Sequence, residues 1–168
     1  NFKDLRAELT DAGHSFESET DTETVAVLTQ SYLDQGLPPR DAAAATVARL
    51  EGAFALAFLF DGEEDLMIGA RKGSPLAVGH GEGEMYLGSD AIALAPMTDK
   101  ITYLDEGDFV VLTRNSVEIR DASGQLANRE MRTIQLDTTR VDKGGYKHFM
   151  AKEIAEQPSV LADALMYY

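Results

Sequence analysis

The sequence has no cysteine, only three histidines and five prolines, and 15 basic residues against 29 acidic ones. Each shortage excludes a class of function. Without cysteine there is no disulfide framework, no thiolate metal site and no thiol nucleophile within these 168 residues. The histidines, His14, His80 and His148, stand far apart without paired ligand spacing such as H-x-x-x-H, so no metal and no cofactor is expected. A formal charge of −14 repels a phosphate backbone, and no lysine–arginine cluster offers a counterion-releasing patch, which sets nucleic acid aside. No stretch reaches the roughly 20 apolar residues that a membrane helix needs. The start carries no signal-like segment, so a soluble protein of the cytoplasm is expected.

What is present suits one core. A chain of this length can bury roughly 70% of the surface that its unfolded form exposes, and 44% apolar residues can supply the interior. Phe2, Leu5 and Leu9 recur at helical spacing from the first residues, and Gly13 suits the left-handed position after a helix end. His14 to Glu17 reads as a short strand. Val25, Leu28, Tyr32 and Leu33 predict a second helix up to Gly36, and "LPPRDAAAATVARL" a third ending at Gly52. The period then changes. "AFALAFLFD" and "LMIGAR", separated by an acidic turn, predict a hairpin buried on both faces; "PLAVGH", "EMYLGS", "KITYL", "DFVVLT" and "SVEIRD" predict further strands. "SDAIALAPM" suits one short helix stopped by Pro96, with Ser89 able to cap it. The pattern loosens from about Gln125 through "LDTTRVDKGG". A helix resumes at Tyr146, with a break expected at Pro158. Helices first and a strand meander after them predict an α+β layering.

Few residues invite chemistry. In "SETDTE", residues 18 to 23, Thr20 and Glu23 fit the capping box in which hydroxyl and carboxylate satisfy orphaned backbone N–H groups. Asp21, at the first helical position, is favoured there by the helix dipole; it could equally present its carboxylate to a ligand ammonium group, and spacing leaves both readings open. "GHGEG", residues 79 to 83, precedes a strand-like segment, which makes it a hairpin turn and not a phosphate loop. Ser74 and Ser89 lie outside any G-x-S-x-G pattern and read as turn and cap residues.

Taken in order, "FKDLRAEL", "GHSFESETDTE", "LEGAFALAFL", "ARKGSPLAVG", "LGSDAIAL" and "KGGYKHFMAKEIAEQP" resemble the glutamine–fructose-6-phosphate aminotransferase (glucosamine-6-phosphate synthase) family over almost the whole chain. The resemblance implies an N-terminal-nucleophile-type αββα four-layer sandwich, here incomplete at the N-terminus. It implies a glutaminase domain over residues 1–140 and, over 141–168, the hinge and first helix leading to an isomerase domain of the same polypeptide, with Lys143 to Gln157 at the interface. Activity in such enzymes rests on an N-terminal cysteine that attacks the glutamine amide, after which ammonia aminates fructose 6-phosphate.

The family's cysteine, carboxylate-holding arginine and oxyanion Asn-Gly all precede the segment that Asn1 opens, so no catalytic residue carries over and the chain by itself is expected to be inactive. Asp21 alone carries over, as the residue that binds the α-ammonium of glutamine. Missing first strands would leave an unpaired sheet edge, and a homo-oligomer is expected. Two other readings remain open at this point: a non-catalytic binding or assembly module on the same sandwich, and another N-terminal-nucleophile amidotransferase with a phosphoribosyl or aspartyl acceptor.

Overall fold

The computed structural model describes residues 1–134 and 143–166. It forms two compact units, Asn1–Ile134 and Gln135–Tyr168. The expected boundary between 140 and 141 falls outside the described residues.

Three helices open the first unit: α1 (Phe2–Asp11), α2 (Asp21–Asp34) and α3 (Pro39–Arg49). The first two end alike. At Gly13 (φ +95°) the N–H bonds the Thr10 carbonyl and that of His14 bonds Leu9; at Gly36 (φ +88°) the corresponding bonds reach Leu33 and, from Leu37, Tyr32. Both are Schellman closures, which need a residue that tolerates the left-handed region. Leu5, Leu9 and Leu28 bury the seam between α1 and α2, and an ion pair from Arg49 to both carboxylate oxygens of Glu8 ties α3 to α1.

The strands are β1 (Phe54–Leu59), β2 (Met67–Lys72), β3 (Ala77–His80), β4 (Met85–Gly88), β5 (Lys100–Tyr103), β6 (Phe109–Leu112), β7 (Val117–Arg120) and β8 (Met131–Thr133), with α4 (Ala91–Leu94) between β4 and β5. They pair antiparallel into two four-stranded sheets, β1-β2-β6-β7 and β4-β3-β5-β8. Alternation along each strand then separates two cores. Val110, Leu112 and Ile119 of the first sheet meet Leu76, Val78 and Leu104 on the side of the second, while Phe58 and Ile68 turn the other way onto Ala43, Val25 and Val47 of the helices. Helices α1–α3, two sheets and α4 follow one another as the expected αββα layers. A Cβ on Gly69 would lie 2.8 Å from Cγ1 of Val110, its partner on the neighbouring strand, and 2.9 Å from Cδ2 of Leu87 in the other sheet, so glycine leaves room there for both side chains. A buried carboxylate closes one end: Asp108 accepts from Arg129 Nε and Nη2 at 2.8 and 2.7 Å, fastening the β5–β6 turn to the chain before β8.

Several expectations are corrected. His14 to Glu17 is not a strand, because the Glu17 and Ser18 N–H groups bond the Glu23 side chain and have no ladder to join. The β1–β2 hairpin is not buried on both faces. β2 is, but β1 is an edge strand whose alternate residues Ala55, Ala57 and Leu59 face outward, Leu59 being 78% exposed. Asp90, not Ser89, caps α4, its Oδ1 accepting from the Ala93 N–H at 2.9 Å. β8 arises inside the stretch whose pattern loosens, because its three residues are exposed and carry no alternation; pairing with β5 alone defines it.

In the second unit α5 (Phe149–Met166) runs through Pro158 without the expected break. Proline removes one N–H donor, and the helix continues on both sides of it. Lys152 is buried and lies 3.7 Å from Glu156, whereas Phe149, Met150, Ile154, Val160, Leu161 and Leu165 are exposed.

Candidate functional site

Asp21 is the first residue of α2, and a web of bonds on its N-terminal side holds it there. Thr20, the N-cap, has extended backbone, and its Oγ1 accepts from the Glu23 N–H at 3.3 Å. The return half of the capping box is displaced: Glu23 Oε1 accepts from the Glu17 N–H at 2.6 Å, and Oε2 accepts from the Ser18 N–H at 2.8 Å and the Ser18 hydroxyl at 2.6 Å. Three donors on one carboxylate, that of Glu17 foremost, hold it below the usual carboxylate range. Arg6 completes the web. Its Nη2 donates to the Ser18 carbonyl at 2.5 Å, and its guanidinium lies 4.2 Å from the Phe16 ring centroid. Against this, the Asp21 carboxylate takes only a long 3.5 Å contact from Thr22 Oγ1, is exposed, and is left to face whatever approaches.

Asp21 lines a cavity of about 110 Å³, walled also by Asn1 and Phe2 at the start of α1, Thr22, Glu51 from the α3–β1 connection, and Phe54 of β1. The volume corresponds to about four waters, enough for the small polar end of an amino acid. No cationic side chain lines it, while two carboxylates do. The field there therefore favours a cation. Asn1 holds the two walls together. Its side-chain amide donates to the Arg49 carbonyl at 2.8 Å, and its Oδ1 accepts from the Glu51 N–H at 3.1 Å.

Other singled-out residues lie elsewhere. "GHGEG" is the β3–β4 turn, with the Gly81 N–H on the Glu84 carbonyl at 3.0 Å. Ser74 follows a tight turn in which the Gly73 N–H bonds both carboxylate oxygens of Glu106. His80 Nε2 meets Thr102 Oγ1 at 2.8 Å, and burial, aided by the Lys100 charge, pushes its pKa below the ordinary value. Asn1 and Glu51 escape sequence reasoning because they are 50 positions apart and each reads locally as a helix flank. Among the described residues no helix is long and apolar enough to cross a membrane.

Comparison with known proteins gives a consistent picture. A family described as a glutamine amidotransferase domain matches residues 1–96. The glutamine–fructose-6-phosphate aminotransferase [isomerizing] of Bradyrhizobium diazoefficiens is 58% identical over 168 residues, all of this chain and 28% of that protein. The protein of the same name from Zymomonas mobilis is 54% identical over the same span and share. The chain thus spans a little over a quarter of the length of these relatives. Among solved structures, the glutamine phosphoribosylpyrophosphate (PRPP) amidotransferase from B. subtilis, complexed with ADP and GMP, aligns with a TM-score of 0.60 at 21% identity, covering 74% of this chain and 27% of that one. That likeness extends to the fold, an N-terminal-nucleophile-type sandwich.

Proposed function

Because the chain belongs to the glutamine amidotransferase domain family, we propose that it is part of a cytoplasmic, homo-oligomeric enzyme that hydrolyses glutamine and delivers the ammonia to fructose 6-phosphate, giving glucosamine 6-phosphate. The observation that carries this reading is identity above 50% over all 168 residues with enzymes of that name, including the segment from Lys143 to Gln157. That segment we assign to the junction with an isomerase domain of the same polypeptide.

Within the reading, Asp21 binds the α-ammonium of glutamine at the cavity between α1, α2 and the start of β1. A thiolate supplied by residues outside these 168 attacks the side-chain amide carbon; the C–N bond breaks, the nitrogen takes a proton and leaves as ammonia, and water cleaves the thioester to glutamate. The web around Glu23 is built beforehand and fixes the backbone that carries Asp21, so only the Asp21 side chain has to order when substrate arrives.

In the intact enzyme, Asp21→Asn removes a charge-assisted contact and should raise KM for glutamine about 10- to 100-fold, with kcat changed little, because the ammonium is held equally in ground and transition states. Ammonia release at varied glutamine concentration measures both constants. An unchanged KM would assign Asp21 to helix initiation alone. The 168 residues by themselves, lacking any thiol, should release no ammonia from glutamine, and turnover by them would overturn the thiol mechanism.

A further inference from the structure

Asn1 occupies the N-cap of α1, where an asparagine side chain ordinarily accepts from the N–H of the second or third helical residue. Here it makes no such bond. The carboxamide is turned away from its own helix and spans 48 and 50 positions of sequence, donating to the Arg49 carbonyl and accepting from the Glu51 N–H. It thereby does for one residue what a neighbouring strand does for a ladder, satisfying a carbonyl and an N–H in the connection where α3 has ended and β1 has not begun. Both Asn1 and Glu51 wall the cavity onto which Asp21 opens. The α3 side of this connection is independently anchored, through Arg49 to Glu8 of α1, so the Asn1 amide governs the part of the wall that faces the ligand.

We infer that Asn1 is a positioning residue of the glutamine cavity: its side-chain amide sets the distance between the Glu51 wall and Asp21, and through that distance the grip on the substrate ammonium. The inference rests on the assignment of Asp21 given above. It differs from a capping role in a way that chemistry can separate. Aspartate is as good an N-cap as asparagine and suits the helix dipole better, but a carboxylate cannot donate to the Arg49 carbonyl and would be repelled by it.

The test uses the intact enzyme with Asn1→Asp, Asn1→Ala, Asp21→Asn and the Asn1→Asp/Asp21→Asn double variant. Glutamine KM, kcat, melting temperature and the inhibition constant of the glutamine analogue lacking the α-amino group are measured for each. The expected result for Asn1→Asp is a KM raised about tenfold, the effect of a displaced positioning contact, with kcat within about twofold, a melting temperature lowered by no more than in Asn1→Ala, and an unchanged inhibition constant for the deamino analogue. In the double variant KM should be no higher than in Asp21→Asn alone, because Asn1 acts through that carboxylate. Where Asn1→Ala destabilises the protein, Asn1→Asp still decides the matter. If Asp21→Asn raises KM while Asn1→Asp leaves it unchanged, the inference falls and the site assignment stands. Additive effects in the double variant, or an equal loss of the deamino analogue, overturn it as well. A flat response to Asp21→Asn removes the assignment itself and the inference with it.

Discussion

At the scale of single residues, the division of labour within "SETDTE" is the central result. Glu23 and Asp21 are two positions apart, yet the half-buried Glu23 carboxylate is saturated by three donors and the exposed Asp21 carboxylate is nearly bare. Saturation has a pH signature. Because the folded-state pKa of Glu23 is lowered, its contribution to stability is complete above the unfolded value of about 4.3 and is lost as pH falls through the folded value. A Glu23→Gln variant puts an NH₂ where a second acceptor is needed, so it should unfold at lower urea than the parent at pH 7. The gap should narrow as pH is lowered below the unfolded value, since the Glu23 carboxylate is then progressively protonated and glutamine does not titrate. Urea midpoints at a series of pH values decide this. A gap that is constant with pH would mean that the web is not held by the charged carboxylate.

Among elements, the packing around β2 depends on one absent side chain. Gly69→Ala puts a methyl inside contact distance of the Val110 and Leu87 side chains, so both must shift within a packed core. The expected loss is about 1–3 kcal/mol, read as a lowered denaturation midpoint, whereas no loss would show that the Val110 and Leu87 side chains make room without cost. Gly69 was legible as part of a strand but not as a contact, since close approach of two sheets has no sequence period. The same reason divides what could be read elsewhere. Helices α1 to α3 announce themselves through spacing and stop signals, and the strands through apolar runs between turns. β1's one-sided burial, β8 and the redirected Glu23 and Asn1 side chains each depend on a partner far along the chain. At the site, Asp21 was reachable through family resemblance, and the cavity that it opens onto only through the fold.

For the 168 residues taken as a whole, the open edge of β1 and the charge of −14 act against each other. β1 pairs only with β2 among the described residues, carries the uncharged sequence Phe-Ala-Leu-Ala-Phe-Leu, and borders a groove of about 500 Å³ lined by both apolar and polar residues of α2 and β1. An uncharged edge with free N–H and C=O groups pairs readily with another strand, including the same edge of a second copy. Repulsion between two copies of so acidic a chain opposes that pairing at low salt, and its range shrinks from about 30 Å at 0.01 M salt to about 8 Å at 0.15 M. The 168 residues should therefore sediment mainly as monomer in dilute buffer and associate as salt is raised, the reverse of what an ion-pair interface would do. Lysines in place of Ala57 and Leu59, both outward-facing on β1, should keep the chain monomeric at every salt concentration without lowering its melting temperature, because neither side chain is buried. Sedimentation velocity over a salt series distinguishes the cases. Association that weakens with salt, or that persists unchanged in the double-lysine variant, would place the contact away from this edge.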